Sequence, residues 1–194
     1  MRQIPTPLLA AVVALALPLA AHAQGAALAP SAAPAATAAG PDVGQTAPDF
    51  TAAWADGSGP RSAPVALSGL RGKVVVLAFY PKDRTSGCTA ELTKFRDEYA
   101  TLFGKDVIVL PISADSVASH VSWASEAKFP FALVSDPSLS VADQYGSHVA
   151  GRPVANRTVY VIGKDGKVAY REMKFNALNE AAYASLASAV SKAR

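Results

Sequence analysis

The sequence predicts an α/β fold: a central mixed β-sheet with helices on both faces, behind an N-terminal extension. Runs of β-branched residues alternate with stretches whose apolar positions recur every three or four residues. The first such run, KVVVLAFY at 73–80, is apolar almost throughout, the composition of a strand buried on both faces. Two further strand-like runs around a tight turn, then a last helix, close the chain. In such sheets, sites gather at the carboxyl ends of strands, where helices begin.

The extension has two parts. Arg2, the apolar run PLLAAVVALALPLA and the small residues of Ala21-His22-Ala23 form the layout of a secretory signal peptide over residues 1–23. The apolar run is shorter than the roughly 20 residues of a membrane-spanning helix. A lipoprotein signal needs a cysteine at the cut, and the single cysteine is Cys88. The expectation is a mature protein free of the membrane once the signal is cleaved, exported to the periplasm. Residues 24–40, rich in Ala and Pro and without charge, predict a disordered leader. The folded domain is expected to span 41–194. Eighteen basic residues against fifteen acidic ones argue for no nucleic-acid partner.

Within the domain, the helical period begins at Cys88, with Leu92, Phe95, Tyr99, Leu102 and Phe103 on one face and Glu91, Lys94, Arg96 and Asp97 between them. Residues 106–112 read as a second buried strand, followed by a helix over about 116–127. Residues 131–134 read as a short strand. Asp136-Pro137 opens a short helical stretch that ends at Tyr145-Gly146. Residues 158–162 and 167–171 flank Gly163-Lys-Asp-Gly166, a hairpin signal. Small apolar residues at helical spacing predict a final helix from about 179 to 193.

Cys88 lies where the strand ending at Tyr80 gives way to the helix. A free thiol has a pKa near 8.5, so only about 3% is thiolate at pH 7. The thiolate is the nucleophile, and a helix N-terminus or a nearby guanidinium favours it. The preceding residues suit that task. Gly87 permits close backbone approach, Thr85 supplies a hydroxyl, and Pro81 ends the strand.

The spacing P-x-x-x-T-x-x-C formed by Pro81, Thr85 and Cys88 resembles the signature of the peroxiredoxins, thiol peroxidases with a thioredoxin-like fold. The likeness continues through PDVGQTAPDF, LSGLRGKVVVLAFYPKD, GCTAE, ISADS, FALVSDPSLSVADQYG and RTVYVIGKDGKV. These blocks look like the bacterioferritin-comigratory-protein branch, or Q type, of the AhpC/TSA-like proteins. The resemblance implies that Cys88 attacks the peroxide O–O bond and becomes a sulfenic acid. It implies that Thr85 hydrogen-bonds thiolate and peroxide, that Pro81 shields the sulfur, and that Arg157 holds both reactants. Glu91 is a first-turn acid in a place where the branch often carries an acid or amide, and it is taken with Gly87 as a support residue.

One departure matters. In many Q-type members a resolving cysteine follows five residues after the first, and here that residue is Thr93. The resemblance then implies a one-cysteine peroxidase whose substrate is a peroxide and whose reductant is an external thiol: thioredoxin-like, glutathione-like or a periplasmic thiol protein. No cofactor or metal is implied, and monomer and homodimer both occur in the branch. A monothiol oxidoreductase and a non-catalytic module on the same fold stand as alternatives. Against the first, there is no C-x-x-C, and Thr158 stands where such reductases place a cis-proline. His120 shares a helical face with Val117, Val121 and Ala124, so it reads as a packed structural histidine. His148 has no second ligand at metal spacing.

Overall fold

The computed structural model describes Met1 and residues 39–194. The stretches expected to be a signal peptide and a leader lie, but for Met1, Ala39 and Gly40, outside the described residues. An eight-stranded mixed sheet runs through the domain in the order β2-β1-β6-β5-β4-β7-β8, with β3 paired to β1. Its strands are β1 (Thr51–Asp56), β2 (Gly59–Pro60), β3 (Val65–Ala66), β4 (Val74–Phe79), β5 (Val107–Ser113), β6 (Leu133–Ser135), β7 (Thr158–Ile162) and β8 (Val168–Glu172). The helices are α1 (Ser86–Asp97), α2 (Tyr99–Leu102), α3 (Val117–Ala127), α4 (Ser140–Gln144) and α5 (Glu180–Ala193).

The predicted strand at 73–80 is the centre of the sheet. All six residues of β4 are buried, and they alternate between two cores. Val74, Val76 and Ala78 face Cys88, Leu92 and Phe95 of α1, with Trp123 of α3 and Tyr183, Leu186 and Val190 of α5. Val75, Leu77 and Phe79 face Leu110, Ile112, Tyr145, Tyr160 and Phe50 on the other side. A fully apolar run is what a strand with two buried faces requires. β4 pairs in parallel with β5 and antiparallel with β7, and β7 pairs antiparallel with β8. This is the mixed sheet the sequence predicts.

Two expectations change. The helix predicted to start at Cys88 starts two residues earlier, at Ser86, and it does not run unbroken to Phe103. It stops at Glu98, whose backbone (φ −107°, ψ 20°) leaves the helical range, and α2 follows as one short turn. The apolar spacing carried across this break because both pieces pack on the same core. The edge strands β1 to β3 were not foreseen. β1 reads TAAWAD, a mix of small and polar residues, and pairs with β6 at the sheet's margin, where half-exposure is enough.

Candidate active site

The site forms at one end of the sheet, where β4 runs out. Because β4 and β7 are antiparallel with Phe79 opposite Thr158, the residue entering β7 lies beside the residues leaving β4. Topology thus carries Arg157 to Cys88 across 69 residues of chain: its Nη2 donates to the Cys88 sulfur at 3.6 Å. Its Nη1 donates to Glu91 Oε2. One guanidinium therefore joins the thiol to a carboxylate one helical turn further along α1.

Cys88 is the third residue of α1. The first backbone bond of the helix is Thr89 N–H to Thr85 carbonyl at 2.8 Å, so the amides of Ser86, Gly87 and Cys88 precede the i→i−4 ladder. They and the helix dipole place partial positive charge at the start of α1, where it favours an anion. The sulfur is fully buried, among Tyr80, Leu92 and Val159. Free cysteine is often buried as a small hydrophobe. A charged donor on its sulfur is what that reading does not require.

Gly87 has a definite reason. A Cβ there would stand 3.0 Å from Arg157 Nη2, tighter than an ordinary contact, so a side chain would require the guanidinium to shift slightly. Arg157 and Gly87 also line a shallow groove of about 500 Å³, with Asn156, Phe175, Ala177 and Leu178. Leu178 is strongly exposed at its rim. The groove reaches the buried sulfur through the guanidinium, which touches both.

Glu91 is completely buried, and its Oε1 has no hydrogen-bond partner among the described residues. Burial pushes its carboxyl up to about 7, with the Arg157 charge pulling the other way. Burial works against the Arg157 charge, but Glu91 and Cys88 outweigh it and hold the guanidinium above its usual pKa. Glu91, read from sequence as a first-turn acid, is in fact the buried counter-charge that orients the arginine.

Thr85 is the N-cap residue by its extended backbone (φ −70°, ψ 149°), but its hydroxyl does not cap the helix. Oγ1 donates to the Lys82 carbonyl at 3.1 Å, so its proton is committed and its lone pairs are acceptors. Its position two residues from Gly87 leaves it exposed at the mouth of the helix. Pro81 is half-buried and ends β4, immediately after Tyr80 completes the pairing with Ile112 at 3.0 Å. Cys88, Arg157, Glu91 and Gly87 are thus in mutual contact or adjacent, while Thr85 and Pro81 belong to the loop that delivers them.

Sequence reasoning passed over that loop's own anchors. Asp83 is buried and takes hydrogen bonds from Tyr80 Oη (2.7 Å) and Ser119 Oγ (2.6 Å), with His120 Nδ1 at 3.0 Å. Arg84 has φ 61°, in the left-handed region. Its side chain meets Glu126 at 2.9 and 3.1 Å and Ser122 at 2.9 Å. An acid and a base in an exposed-looking PKDRT segment carry no periodic signal; the non-glycine turn before the cysteine was the available clue.

The AhpC/TSA family model matches residues 43–171. A putative peroxiredoxin bcp from Coxiella burnetii is 39% identical over 133 residues, covering 66% of this chain and 85% of that protein. Peroxiredoxin Bcp of Bacillus subtilis is 31% identical, covering 66% and 82%. Against the chloroplastic peroxiredoxin Q of Sedum lineare, 39% identical, the match spans 65% of the plant protein's length. Among solved structures, peroxidoxin BcpB from Mycobacterium tuberculosis superposes with TM-score 0.66 and 29% identity over 79% of this chain and 99% of that one. Peroxiredoxin Q of Xanthomonas campestris gives 0.64 and 25% over 75% and 92%. With its single cysteine at the start of α1, this chain belongs to the AhpC/TSA family and is a peroxiredoxin, a thiol peroxidase of the Bcp and Q type.

Proposed function

We propose that the protein reduces hydrogen peroxide and small organic hydroperoxides through a sulfenic acid on Cys88, and that an external thiol recycles it in the periplasm. The observation that carries this is the guanidinium of Arg157, held by buried Glu91 and donating to the Cys88 sulfur at the start of α1. The sulfur attacks one peroxide oxygen and gives up two electrons; the O–O bond breaks and the other oxygen leaves as hydroxide or alkoxide, which takes up a proton. Arg157 and the first amides of α1 are fixed donors for the negative charge that grows on the leaving oxygen, and such donors lower the barrier. Thr85, whose O–H already donates to the Lys82 carbonyl, accepts a hydrogen bond from the peroxide O–H.

Recycling follows from the cysteine count. With Thr93 at the usual resolving position and one cysteine in the chain, no intramolecular disulfide can form. Two external thiols then reduce the sulfenic acid: the first condenses with it and releases water, the second displaces Cys88 and leaves with the first as a disulfide. Until the first arrives, the sulfenic acid stands open to further oxidation. Steady-state peroxide consumption with thioredoxin, glutathione or a small dithiol, beside Cys88→Ser, tests the whole reading. Turnover with at least one thiol and none in the variant is expected. Equal consumption by the variant would end the proposal.

A further inference from the structure

A second buried polar pair, Asp83 and His120, lies outside the reacting groups. Asp83 sits in the loop 81–85 between β4 and α1, two residues before the N-cap Thr85 and five before Cys88. Its carboxyl group accepts from Tyr80 on Oδ1 and from Ser119 on Oδ2, and His120 Nδ1 faces the same Oδ2 at 3.0 Å. Its backbone N–H donates to Asp115 Oδ2 at 2.9 Å, which also accepts from Ser113. The other nitrogen of His120 faces the Val134 carbonyl at 3.2 Å. His120, Ser119 and Tyr80 together offset the burial of Asp83 and hold it ionised, below the usual carboxylate range. An ionised carboxylate only accepts, so Asp83 is a buried acceptor ringed by Tyr80, Ser119 and the imidazole of His120.

The next residue is pinned to the same helix. Arg84 adopts φ 61°, a left-handed conformation unfavourable for a residue with a Cβ, and it persists because Glu126 and Ser122 of α3 hold the guanidinium. Two consecutive loop residues thus attach to α3, Asp83 by buried contacts with Ser119 and His120 and Arg84 by an exposed ion pair. The loop then turns sharply into α1.

We propose that Asp83 and His120 are positioning residues for the peroxidase reaction: through them α3 holds the 81–85 loop so that the start of α1, with Cys88, stays against Arg157. Neither side chain contacts the sulfur; both act through the loop. This rests on the peroxidase reading given above, and its test separates the two.

The variants are His120→Ala, which leaves the Asp83 carboxylate buried without its ring partner, and His120→Asn, whose amide N–H can donate to Oδ2. Hydrogen exchange of the 82–89 amides reads the loop without needing any activity, and the second-order rate constant with hydrogen peroxide reads the consequence. In His120→Ala the loop amides lose protection while β4 and β7 keep theirs, and the rate falls about tenfold to a hundredfold, the scale of an ångström-sized misplacement. His120→Asn recovers most of both. In a cycle with Arg157→Ala, the two rate losses are less than additive, because both disturb one contact. Unchanged loop protection in folded His120→Ala overturns the proposal, as does lost protection with an unchanged rate. Should His120→Ala not fold, Ser119→Ala combined with Glu126→Ala removes the donor to Asp83 and the acceptor for Arg84 from the α3 surface, and the same two readings decide. A wild-type protein inert to peroxide defeats the functional reading instead; loop exchange and the rate of Cys88 alkylation by iodoacetamide then judge the clamp alone, and neither changing in His120→Ala overturns it.

Discussion

Replacing Arg157 by alanine strikes the only hydrogen bond that reaches the Cys88 sulfur among the described residues. It removes a charged donor poised for the leaving oxygen, and loss of one such donor slows catalysis by about 10² to 10³, or about 3–4 kcal/mol of barrier. The variant also strips Glu91 of the partner on Oε2 while Oε1 already has none. Breaking a buried ion pair costs about 3–5 kcal/mol when the orphaned charge must stay. Glu91 escapes most of that cost by taking up a proton, since burial already pushes it to about 7. The loss in stability is therefore smaller than the loss in rate, about 1–3 kcal/mol. Stopped-flow competition for hydrogen peroxide against a reporter peroxidase gives the rate constant, and thermal melting gives the stability. Iodoacetamide alkylation of Cys88, which has no developing oxyanion on oxygen, should slow much less. A folded variant whose peroxide rate stays within about threefold of the wild type would refute the reasoning, since a donor lost from the transition state cannot cost so little.

Other expectations follow from the same contacts. Glu91 binds its proton more tightly folded than unfolded, with a folded value near 7 against an ordinary 4.5. Its contribution to stability is thus fully present below pH 4.5 and lost as pH rises through 7, by on the order of 3 kcal/mol. Glu91→Gln should flatten the melting temperature against pH over that window and slow the peroxide reaction about tenfold, because Arg157 loses its counter-charge; an unaltered melting profile would contradict this. Gly87→Ala sets a Cβ 3.0 Å from Arg157 Nη2 and so shifts the guanidinium slightly, and the peroxide rate should fall about threefold to tenfold with little change in melting temperature. Full activity in that variant would show that the glycine serves only the chain's course.

How far the sequence revealed the molecule depended on whether its signals were local. KVVVLAFY announced a central strand because both faces of β4 are buried and every residue had to be apolar. The hairpin of β7 and β8 was written in Gly163-Lys-Asp-Gly166, a turn whose chemistry needs no tertiary help. The break at Glu98 was invisible, because α1 and α2 keep the same apolar spacing against one core. β1 was missed for the opposite reason: an edge strand of small residues needs no strong pattern, and β6 across the sheet supplies the register. At the site, Cys88, Thr85 and Pro81 share one short stretch and were legible together. Arg157 entered by resemblance, and only the antiparallel pairing of β4 with β7 explains why it arrives. Asp83 and His120 are 37 residues apart and join through a loop and a helix, so no spacing could announce them.

The central claim is that Cys88 is a peroxide-reducing thiol and not a packed hydrophobe. The most direct test takes the reduced protein, adds one equivalent of hydrogen peroxide for seconds, and reads the intact mass beside Cys88→Ser. A peroxide-reducing thiol gains one oxygen rapidly, in a form captured by a sulfenic-acid reagent and absent from the variant. A thiol unmodified under those conditions would contradict it, and the Arg157 contact would then be an ion-pair network that happens to include a buried sulfur.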